Sequence, residues 1–202
     1  RLVRDSPLPC IVTCRPEWEG GEYEGDEATR IELMVQLMRT DHPPRFHRIG
    51  LRALRPDADV RRRLHDEWTI QSARGRAPGM IISSHDFQGR PADLLQRIER
   101  MTHDSMCAVI KVAWLARSLR DNLEAFELLC ARSKPMIALC MGQFGLMSRV
   151  LAGKFGGFLT FAGDSPQTVT APGQPTVEEL KRLLHFDRIG QSTKVYGVIG
   201  WP

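Results

Sequence analysis

The run from Met106 to Leu115 (MCAVIKVAWL) constrains the fold most, because it is apolar on both alternating faces and interrupted by a single charge, Lys111. A β-branched run of this kind reads as a strand covered on both sides, as in a parallel sheet. Burial disfavours the charged form of a lysine. A neutral amine is a nucleophile suited to forming a Schiff base with a ketone or aldehyde. The alternative is a strand-end lysine that carries its ammonium out to water.

The neighbouring segments repeat the pattern. Residues 8–15 form a short apolar run that ends in Arg15. An acidic, glycine-containing loop follows, and then a helix capped by Asp26 with Ile31, Met34, Val35 and Met38 on one face. Residues 46–54 are a more polar strand candidate, with His47, Arg48 and Arg52, and a helix is expected over 57–72. Residues 80–85 are a buried strand ending in His85, followed by a helix over 91–102. After the lysine strand come a helix over 119–131, a strand over 135–140, a helix over 146–152 and a strand over 158–162. A loop over 163–174 with two glycines and two prolines has the length of a functional lid, and a last helix is expected over 177–184. Strand and helix alternate six times, with connections too long for hairpins. That order specifies α/β architecture with a parallel sheet. In a (β/α)8 barrel, residues at the C-terminal strand ends build the active site, and six units are too few to close one.

Composition removes several function classes. The formal charge of +4 and the dense run Arg61-Arg62-Arg63 come without aromatic interleaving, so no nucleic-acid partner is expected. The field weakly favours a small anionic substrate. Five cysteines without a C-x-x-C pair argue for a reducing compartment and against a disulfide scaffold or structural zinc. No apolar run approaches the ~20 residues of a membrane span.

Several stretches occurring in order resemble the type I 3-dehydroquinate dehydratases. They are Thr13-Cys14-Arg15-Pro16 with Glu19-Gly20-Gly21, Ser83-Ser84-His85-Asp86-Phe87, Ile110-Lys111-Val112-Ala113, and Met141-Gly142 through Arg149. They continue with 154–161 (KFGGFLTF) and 170–176 (TAPGQPT). The tail over 194–202 resembles the first strand and turn of shikimate dehydrogenase. The resemblance implies a (β/α)8 TIM barrel over 1–184 lacking its first two strands, a linker over 185–193, and the start of a fused dehydrogenase-like domain over 194–202. It implies dehydration of 3-dehydroquinate to 3-dehydroshikimate without metal or diffusible cofactor. NADP is expected only for a following dehydrogenase domain. Lys111 would form the iminium and His85 would move the proton. Arg149 and Arg15 would hold the substrate carboxylate, Thr170 and Gln174 would reach it from the lid, and Phe87 and Met141 would line the pocket. The location implied is the plastid stroma for a plant protein and the cytoplasm otherwise.

One departure bears on activity. The family carries an acidic residue on the strand that here reads Phe46 to Leu51, where it orients the catalytic histidine, and the best register puts Gly50 there. Loss of that carboxylate predicts a less fixed, less basic His85. His47 and Arg48 cannot replace it, being donors or cations. A catalytically impaired or regulatory ligand-binding relative is therefore a rival reading. A class I aldolase is another, against which the Thr170 to Gln174 lid and the tail argue.

Overall fold

The structure, a computed structural model, describes residues 2–50 and 59–198. The chain divides into two compact units, Arg1–Leu115 with Ser133–Met136, and Ala116–Arg132 with Ile137–Pro202.

In the first unit, after the short α1 (Leu2–Asp5), come β1 (Ile11–Thr13), α2 (Glu27–Arg39), β2 (Phe46–Gly50), α3 (Asp59–Ala73), β3 (Gly79–Asp86), α4 (Leu94–His103) and β4 (Cys107–Leu115). The strands pair parallel in sequence order, β1 on β2, β2 on β3 and β3 on β4. This is the expected α/β grammar. The expected cap forms at α2, where Thr29 N donates to Asp26 Oδ1 at 2.8 Å. Ile31, Met34, Val35 and Met38 are all buried as their spacing predicts. Each such side chain contributes roughly 1.5–3 kcal/mol of burial. Polar β2 is a true strand but is described only to Gly50; the expected residues 51–54, and 57–58 of the following helix, lie outside the described residues.

Register decides what this sheet can do. Gly50 stands opposite Ser83, and Ser83 opposite Lys111. Because strand side chains alternate, Arg48, Gly50, Ser83, His85 and Lys111 share one face near the C-terminal strand ends. The other face carries His47, Ile49, Ile82, Ser84 and Ile110. Arg97 on α4 reaches Ser84 Oγ at 3.0 Å, so the helical layer covers that second face.

The second unit holds α5 (Asp121–Ala131), most of β5 (Met136–Met141) and α6 (Leu146–Val150). Stacked Phe126 and Phe155 rings, with centroids 4.1 Å apart, pack α5 against the turn after α6. The strand expected over 158–162 does not form. Phe158 is half out in solvent and residues 158–162 join no ladder; the isolated bridge Gly163–Thr176 lies just beyond them. Its apolar alternation specified an extended chain, but a strand also needs a partner edge. The last helix closes in π form over Glu179–Leu183. Residues 194–198, in the stretch expected to open a dehydrogenase-like domain, have no regular structure.

Candidate active site

The polar face of the first unit's sheet gathers a nucleophile and a base. Lys111 lies in the middle of β4, not at its end, and is buried at 9% exposure. His85 ends β3, its side chain only 3% exposed. Burial pushes the His85 pKa down to about 4 against the pull of the Glu19 carboxylate, and the charges of Lys111 and Arg48 push the same way as burial. The imidazole is therefore neutral at neutral pH and can accept a proton.

A carboxylate does stand beside this histidine. It comes from Glu19, whose Oε1 is 3.6 Å from His85 Nδ1. A one-turn 3-10 helix, Glu17–Glu19, puts it there. Glu19 N donates to the Pro16 carbonyl at 3.0 Å, and Gly20 N closes the turn on Glu17 O at 2.7 Å. Gly20 takes φ 72°, the left-handed conformation that glycine adopts without strain. Burial resists ionisation of Glu19, but the polar interaction with the neighbouring His85 ring and the Arg48 charge outweigh it and hold its pKa below the ordinary value.

Gly50 also acquires a structural reason. A Cβ there would run into the Glu19 carboxylate, so the bare backbone makes room for it. Although no acid occupies position 50, Glu19 thus sets a carboxylate beside His85 from another element, while the His85 pKa is still lowered. In the sequence Glu19 is marked only by the Glu-Gly-Gly that follows the strand-end Arg15.

Arg48 completes the cluster. Its Nη2 lies 2.5 Å from Glu19 Oε2 and 3.1 Å from His85 Nδ1, while its Nε donates to Ser83 Oγ at 2.8 Å. Arg15, just beyond β1, is half-buried and close enough for its charge to act on Arg48. Phe87 is partly exposed, stacked beside His85 with centroids 6.5 Å apart. The structure therefore brings Lys111, His85, Arg15 and Phe87 into one unit and adds Glu19, Arg48 and Ser83.

The second unit holds the other expected residues. Arg149 on α6 is 2% exposed, and among the described residues its Nε has no hydrogen-bond partner and no carboxylate pairs with it. Desolvation lowers its pKa to about 10. Ser148 fixes this helix, accepting from Cys140 N at 2.8 Å and donating from Oγ to Gly145 O at 2.7 Å. A buried guanidinium with open donors is suited to a carboxylate ligand. Gln174 is buried and accepts from Thr170 Oγ1 at 3.2 Å, while Thr170 itself is exposed. The loop tip docks beside Met141, since Gly142 N donates to Pro172 O at 2.9 Å. Gly173, at φ 69°, lies so close to the Gly142 carbonyl that a Cβ would collide with it. Met141 itself is buried.

Known proteins resemble this chain in sequence and in fold. A bifunctional 3-dehydroquinate dehydratase/shikimate dehydrogenase from Arabidopsis thaliana, described as chloroplastic, is 38% identical over 209 residues, covering 100% of this chain and 32% of that protein. A 3-dehydroquinate dehydratase from Methanosarcina barkeri is 33% identical over 192 residues, covering 92% of this chain and 75% of that one. The chain thus spans about a third of the length of the plant relative and three quarters of the archaeal one. Among solved structures, a type I 3-dehydroquinate dehydratase from Clostridium difficile matches with TM-score 0.70 and 26% identity, over 88% of this chain and 68% of that one. The dehydroquinate dehydratase and shikimate dehydrogenase from S. pombe matches with TM-score 0.66 and 28% identity, over 92% and 34%. A sequence model of one family matches residues 1–191, nearly the whole chain, and by that match the chain belongs to the type I 3-dehydroquinase family.

Proposed function

We propose that this chain dehydrates 3-dehydroquinate to 3-dehydroshikimate through a Schiff base on Lys111, as part of aromatic amino acid biosynthesis. The observation that supports this best is the placement of Lys111 and His85 on one buried sheet face, a strand apart, with Glu19 beside the imidazole. Lys111 Nζ adds to the ring ketone, and loss of water leaves an iminium. The iminium draws electrons from the adjacent C–H bond, so His85 can take that proton and leave an enamine. The enamine then expels the β-hydroxyl, which leaves as water with the proton that His85 returns. Hydrolysis of the new iminium releases product and restores Lys111. No step calls for a metal or a diffusible cofactor; NADP belongs to a dehydrogenase domain. Arg149, with Arg15, takes the substrate carboxylate. Gln174 and Thr170 contact the substrate from their loop, and Phe87 and Met141 give it apolar walls.

Within this reading, residues 1–184 are the dehydratase portion, 185–193 a linker and 194–202 the start of a fused shikimate dehydrogenase. The plastid stroma or the cytoplasm is the place of work. A second reading, an impaired or regulatory relative that binds the ligand without turning it over, is favoured by one observation: the Arg48 cation within hydrogen-bond distance of the base. Turnover decides between them. Wild-type chain given 3-dehydroquinate should generate the conjugated enone absorbance of 3-dehydroshikimate, and Lys111→Ala should not. Binding of dehydroquinate with no enone from folded wild-type chain would establish the second reading instead.

A further inference from the structure

Residues 185–193 stand where the sequence places a linker. A freely moving tether is rich in glycine and serine and behaves as a random coil. This stretch reads HFDRIGQST and is closed on itself by successive backbone hydrogen bonds. Arg188 N donates to His185 O at 2.9 Å, Ile189 N to Phe186 O at 3.1 Å, and Thr193 N to Gly190 O at 3.0 Å. Gly190 N donates in return to Thr193 Oγ1 at 3.0 Å, so the last turn is fastened from both ends. The stretch opens on His185 at φ 49°, the one left-handed residue other than glycine among the described residues. That conformation is uncommon for a residue with a side chain, and it stops the helical turn before it.

The folded stretch lies on the turn that follows α6, within the second unit. That turn is itself well held. Its Phe155 ring stacks on Phe126 of α5, and Arg132, at the end of α5, packs so close to Gly156 that a Cβ there would meet the guanidinium. Gly153 lies in ordinary contact distance of the Ile189 carbonyl, counted from where its Cβ would be. Half-buried Lys154 makes the polar connection. Its Nζ donates to Thr193 O at 2.5 Å and to Gln191 O at 3.4 Å, and it lies 5.6 Å from the centre of the Phe155 ring. Two carbonyl oxygens and a ring face together suit a cation. Fixing a lysine side chain costs rotamer freedom, and the fastened Gly190 to Thr193 turn offsets that cost by presenting both carbonyls at once.

We propose that the turn after α6 is a docking surface for residues 189–193 of the same chain, with Lys154 as the anchor. The chain beyond Thr193 then starts from a fixed mount on the second unit. A random coil of the same nine residues would let its far end range over roughly 15–18 Å. The mount therefore confines whatever follows it. Docking is independent of the dehydratase reading, which enters only in naming what the mount would carry, a fused dehydrogenase.

The test is hydrogen–deuterium exchange of the full chain, read by mass spectrometry on peptides covering 186–196, with peptides from β3 and β4 reporting the fold. In the wild type the 186–196 peptides should keep a slow phase from the bonded amides of Arg188, Ile189, Gly190 and Thr193. Lys154→Met should speed that phase about tenfold or more while β3 and β4 exchange as before. Lys154→Arg, which keeps the charge and the donors, should preserve it. Thr193→Val serves should Lys154→Met not fold: it removes the hydroxyl that accepts from Gly190 N and should loosen the same turn from its other side. Wild-type 186–196 exchanging at the rate of unstructured chain would overturn the proposal, and so would a slow phase unchanged in the folded variant. Because no substrate is involved, failure of the mount and failure of the dehydratase reading are distinguishable.

Discussion

Two buried arginines divide the labour of this chain, and the contrast between them shows how charge burial separates positioning from binding. Arg48, in the first unit, spends Nε and Nη2 on Ser83, Glu19 and His85, its Nη1 having no partner among the described residues, and its charge is paired with the Glu19 carboxylate. Arg149, in the second, is equally buried, yet among the described residues it has no carboxylate and its Nε has no partner. Both are desolvated, and burial lowers both pKa values, with the Glu19 charge opposing the fall at Arg48. A buried charge already paired with a carboxylate cannot hold an arriving anion strongly, whereas one without a counter-charge favours such an anion. Arg48 therefore belongs to the protein's internal wiring, and Arg149 is poised for a ligand.

The sharpest way to break this comparison is to remove the counter-charge. Glu19→Ala leaves Arg48 buried and uncompensated and should cost about 3–5 kcal/mol of stability, read from the denaturant midpoint at constant slope. An effect below about 1 kcal/mol, the level of an exposed pair, would place Arg48 among screened charges.

A third buried group tests whether burial alone can dominate. His47 precedes Arg48 on β2 and points to the opposite face. It is fully buried, with neither ring nitrogen hydrogen-bonded among the described residues. Burial lowers its pKa from 6.5 to about 4. The unfolded chain then binds the proton more readily than the folded one, so stability is fully present above pH 6.5. It is lost as pH falls from there through about 4, by about 3 kcal/mol. His47→Phe should flatten that part of the stability–pH curve, leaving the His85 contribution; an unchanged slope would refute this assignment.

Arg149→Met should act in the opposite sense to Glu19→Ala. Removing a desolvated cation that has no counter-charge should leave stability unchanged or raise it by about 1–2 kcal/mol. The Michaelis constant for dehydroquinate should rise about a hundredfold, through loss of a charge-assisted contact. A large stability loss with unchanged binding would make Arg149 structural. The smallest effect is expected at Thr170→Val, whose hydroxyl meets Gln174 at 3.2 Å on an exposed loop. Stability should move by less than about 1 kcal/mol, with a Michaelis constant raised only a few-fold.

The sequence was most readable where one face decides the outcome. β3, β4 and β5 are apolar on both sides, and the face of α2 follows from four residues at helical spacing, so both emerge from periodicity alone. Residues 158–162 show where that stops: alternation describes a chain able to become a strand, while pairing depends on an edge elsewhere. The site divides in the same way. Lys111 and His85 were legible because each interrupts or ends a patterned segment, whereas Arg149 stood out only through the family resemblance. Glu19 was not. Its loop looked merely acidic and turn-forming, and its partner His85 lies far along the chain, so only the tertiary path brings the carboxylate over Gly50. Arg48 likewise carries no mark in the sequence of its place beside Glu19 and His85, because only the pairing of β2 with β3 brings them together.

The central claim is that Lys111 is the nucleophile, and borohydride reduction in the presence of 3-dehydroquinate, followed by peptide mass spectrometry, tests it most directly. The account predicts a reduced adduct on the peptide containing Lys111, absent from Lys111→Ala. Folded wild-type chain that yields no adduct, or one carried on another lysine, would contradict it.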